Sequence, residues 1–67
     1  MNTDEIIEAH TKLTQIIKDN SIYFANKDAA DIADDFINAY AEDKKLPYAK
    51  TPSIEVNDAV IKILTRF

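Results

Sequence analysis

The chain of 67 residues contains no glycine. Glycine takes positive φ without steric cost, so any left-handed turn position must fall here to Asn or Asp. The hairpin signals Asn-Gly and Asp-Gly are absent with it, and a β-rich fold is disfavoured. The apolar residues recur instead at helical spacing.

A first helix is expected from about Thr3 to Asp19. Asn2 and Glu5 have the spacing of a capping box, with Thr3 an equally good N-cap. Ile6, Ala9, His10, Leu13, Ile16 and Ile17 form one face, while Glu5, Glu8, Lys12 and Gln15 fall away from it. Asn20 is a candidate C-cap, able to take the left-handed conformation in place of Gly. The connector Ser21-Ile22-Tyr23-Phe24-Ala25-Asn26 is unusually apolar. Ile22, Tyr23 and Phe24 are expected to fold back and plug the core.

A second helix is expected from Lys27 to about Asp43, with Asn26 or Asp28 near its N-cap. Ala29, Ala33, Phe36, Ile37 and Tyr40 make its buried face, with Ile32 on the flank. Asp28, Asp31, Asp35, Asn38 and Glu42 share the opposite face. Lys44 to Thr51 is a linker, in which Pro47 and Pro52 each disfavour the helical region for the residue before them. A third helix then starts after Thr51 or Ser53, or as late as Asn57 with Ser53–Val56 extended. Val56, Val60, Ile63, Leu64 and Phe67 form its main stripe. Three helices with short links pack most simply as an antiparallel-type three-helix bundle. The expectation is therefore an all-α single domain spanning residues 1–67, a small three-helix bundle with an apolar connector between helices 1 and 2.

A domain this short buries a small share of its surface and is marginally stable, so self-association would help it. No Cys is present, which excludes disulfides, thiolate zinc sites and thiol nucleophiles. That absence suits a reducing compartment. The start Met1-Asn2-Thr3-Asp4-Glu5 is acidic and no long apolar run follows it, unlike a secretory signal. The apolar runs Ile22–Ala25 and Ala59–Ile61 are too short to span a bilayer. A cytoplasmic protein without membrane insertion is the expectation.

Twelve acidic and eight basic residues give a net charge of −4, against the counterion displacement that nucleic-acid binding needs. Lys44, Lys45, Tyr48 and Lys50 make a modest basic patch with an aromatic. A recognition helix would want more than the Lys62 and Arg66 of the third helix. A DNA-binding regulator is thus a disfavoured reading, behind an interaction module and an inhibitor.

Catalytic and metal chemistry find little footing. The calcium-loop pattern Asp-x-Asp-x-Asp-Gly is missing. His10 is the one possible imidazole base, and no Gly-x-Ser-x-Gly elbow exists. A carboxyl pair facing across a cleft has little room in so small a bundle. His10 itself reads as a boundary residue, its ring packed and one nitrogen bonded to a neighbour. No enzyme activity, cofactor or metal is expected.

Two surfaces suit a protein partner. Asp28, Asp31, Asp35 and Glu42 form an acidic stripe that would suit a basic partner, or would serve simply as a solvated face. Asp31 and Asp35, four apart, repel each other by roughly 0.3 kcal/mol. The third helix carries more apolar residues than one stripe needs. Ile54 and Ile61 lie off the centre of its main stripe and flank Leu64, and Phe67 ends the chain. Ile54, Ile61, Leu64 and Phe67 are therefore the candidate self-association face. The leading expectation is a non-enzymatic protein–protein interaction module, pairing with itself as a homodimer or with another protein.

The Asp-Ala-Ala-Asp helix, the Leu-Pro linker and the segment Asp35 to Pro47 resemble small helical proteins of phage and Gram-positive bacteria. The helical bacteriocin-immunity proteins are one such group. That resemblance implies an inhibitor that works by masking another protein, and it transfers no residue role.

Overall fold

The computed structural model describes residues 2–24, 28–44 and 54–66. It is a small all-α bundle of three helices, α1 (Thr3–Asp19), α2 (Ala29–Ala41) and α3 (Ile54–Thr65), with a 3-10 turn at Ser21–Phe24. No helix among the described residues is long and apolar enough to cross a membrane.

The capping box closes the start of α1. The Asn2 side chain accepts from the Glu5 N–H at 2.9 Å, and the Asn2 N–H donates to Glu5 Oε1 at 3.0 Å. Two of the donors left over at a helix N-terminus are thereby satisfied. The C-terminus differs from expectation. Asn20 caps α1 with φ −123° and ψ 36°, outside the left-handed region. Its backbone N–H reaches Ile16 and Ile17 carbonyls at 3.1 and 3.2 Å, and its Nδ2 donates to the Ile16 carbonyl at 2.9 Å. The side-chain amide thus serves the last turn without a left-handed residue.

The left-handed position falls after α2 instead. Asp43 has φ +54°. Its N–H bonds to the Tyr40 carbonyl at 3.2 Å and the Lys44 N–H to the Ala39 carbonyl at 2.9 Å. This is the Schellman arrangement, with Asp where Gly is usual. At its other end, α2 begins at Ala29, and the Asp28 side chain accepts from the Ala30 N–H.

Two points fix the direction of α2 against α1. Asp28 and Ala29 share a cleft with Ile17 and Lys18, while Ala30 and Asp34 meet His10 farther down. The two helices are antiparallel. α3 also begins at the C-terminal end of α1, where Glu55, Val56 and Ala59 lie across from Ile16, Asn20 and Tyr23. Its Val60 and Leu64 continue into the core shared with Leu13 and Ala9. α3 is therefore antiparallel to α1 as well, and parallel to α2. This corrects the expectation of short links between antiparallel neighbours: α2 ends at one end of α1 and α3 starts at the other. α1 is the common partner of both.

The core comprises Ala9, Leu13 and Ile17 of α1, Phe24, then Ile32, Ala33, Phe36 and Ile37 of α2, and Val56, Val60 and Leu64 of α3. The connector contributes less to it than its composition suggests. Phe24 is buried and packs edge-on against Phe36, ring centroids 6.4 Å apart at 85°. Tyr23 is partly exposed and Ile22 is 81% exposed. A 3-10 turn sets successive side chains about 120° apart, so three consecutive residues cannot all face inward. On α2, Ile32 is fully buried rather than flanking, and Tyr40 is 40% exposed rather than buried. α3 is helical from Ile54, so no extended segment runs through Glu55 and Val56. Its expected caps, Thr51 and Ser53, lie outside the described residues.

Candidate protein-interaction surface

α3 presents two faces with opposite characters. Val56, Val60 and Leu64 recur every fourth residue and point into the bundle, all at most 4% exposed. Leu64 thereby leaves the expected self-association face. It lies only about 40° around the helix from Val60, at the centre of the buried stripe. Ile61, about 100° from Val60, remains outside and is 45% exposed. The side chain of Ile54 and the whole of Phe67 lie outside the described residues.

The outward face of α3 also carries the exposed Thr65 and four charges in an ordered sequence. Glu55 and Asp58 occupy the first half, Lys62 the second, and Arg66 follows the last turn; all four are exposed. None makes an ion pair with a described residue. Their charges cancel, so the net charge of −4 resides in the rest of the chain. This sign order was present in the sequence, and the apolar pattern of the third helix obscured it.

The acidic stripe of α2 is present as expected. Asp28, Asp31, Asp35 and Glu42 are exposed and fall within about 60° of arc. Two of them already have local roles. Asp28 caps the helix, and Glu42 pairs with Lys44 Nζ at 3.1 Å. Asp34 belongs to the other flank, beside α1.

There it meets His10. The His10 Nε2 lies 3.2 Å from the Ala30 carbonyl and 3.2 Å from Asp34 Oδ1. Both neighbours only accept, so Nε2 carries a hydrogen in this geometry. The ring is half-buried and ties the middle of α1 to the first turns of α2. Its role in the seam leaves it in the boundary position the sequence suggested. Among the described residues, no group of three or more His, Asp and Glu side chains is placed to hold a metal ion.

Other apolar residues are exposed, three of them (Ile6, Ile22 and Tyr23) against the expectation that they face the core. Ile22 and Tyr23 project at the connector end. Ile6 and Ile7, 40% and 59% exposed, project from the N-terminal turns of α1. Helical periodicity placed Ile6 on the apolar face of α1, but it does not join the core. Its exposure reflects its place near the end of the bundle, where fewer neighbours surround it. The basic patch residues Lys45, Tyr48 and Lys50 lie outside the described residues. No known family model, curated protein or solved structure matches this chain.

Proposed function

We propose that this protein is a non-enzymatic interaction module that associates with itself through the outward face of α3. The observation that carries this reading is Ile61, a large aliphatic residue nearly half exposed in the middle of a helix whose other face is fully committed to the core. The surroundings support it. The local charge of α3 is balanced, so two copies can approach there without the repulsion their net charges cause elsewhere. His10 is engaged in a helix seam, which favours a structural over a catalytic role for it. The acidic stripe of α2 is a second docking surface, for a basic partner, with Asp31 as its least committed described member after Asp28 and Glu42 are set aside.

The test is the solution mass by light scattering over a concentration series, on wild type and on Ile61→Asp. The expected result is a concentration-dependent dimer for wild type and a folded monomer for the variant. A wild type that stays monomeric at every concentration would remove self-association as the function.

A further inference from the structure

We draw no further inference here: the strongest candidate, the exposed pair Ile22 and Tyr23 on the 3-10 turn at the connector end of the bundle, is an unpartnered apolar patch, and nothing in the structure shows what covers it.

Discussion

The Schellman turn after α2 allows a stabilising substitution to be worked out from its geometry. Asp43 sits at φ +54°, in a region where a Cβ meets the following carbonyl oxygen at a cost of about 1–2 kcal/mol. Asp tolerates this better than most residues, so about 1 kcal/mol is available for release. The Asp43 carboxylate also stands at the negative end of the α2 dipole, an unfavourable placement of about 0.3–1 kcal/mol. Asp43→Gly removes both burdens. Against this, glycine loosens the unfolded chain, which returns about 0.4–1 kcal/mol. The net expectation is a gain of about 0.5–1 kcal/mol. In a chain of this size that raises Tm by about 3–6 °C.

Two further substitutions separate the causes. Asp43→Asn keeps a residue that accepts the left-handed conformation and removes only the charge, so it gains about 0.3–1 kcal/mol, less at high salt. Asp43→Ala removes the charge and keeps the Cβ, and should lie about 1 kcal/mol below the glycine variant. Thermal and urea melts followed by circular dichroism at fixed protein concentration give all four stabilities. Coincident melts for the alanine and glycine variants would refute the reasoning, because position 43 would then not require positive φ.

The connector offers a sharp contrast between adjacent residues. Phe24→Ala should cost about 3 kcal/mol, from lost burial and the cavity left beside Phe36. Ile22→Ser should stay within about 0.5 kcal/mol, since the side chain is exposed; urea unfolding distinguishes them, and equal losses would contradict the division of the connector. At the start of α1, Asn2→Ala should cost about 1 kcal/mol. Removing Glu5 as well should add less than Glu5→Ala costs alone, because the two caps are reciprocal, and a double-mutant cycle reads that coupling.

The helices were legible because their signals are local. Asn2 and Glu5 announce the start of α1 by a three-residue spacing, and Leu13 with Ile17 and Val56 with Val60 mark inward faces by a four-residue one. The absence of glycine carried the same message, removing the turns that short strands depend on and leaving Asp43 to take the one described positive φ. What the sequence could not decide was set by distances along the chain too long for any periodicity to reach. Whether Ile22, Tyr23 or Phe24 enters the core depends on the pitch of a 3-10 turn and on where Phe36 stands. Whether Leu64 is interface or core depends on which arc of α3 meets α1, and a shift of about 60° around the helix separates the two outcomes. The direction of α3 depends on which end of α1 still has apolar surface to cover. Local spacing fixes each helix and its apolar arc because backbone hydrogen bonding is local. The partner of each arc is chosen by burial, and burial is a property of the assembled bundle.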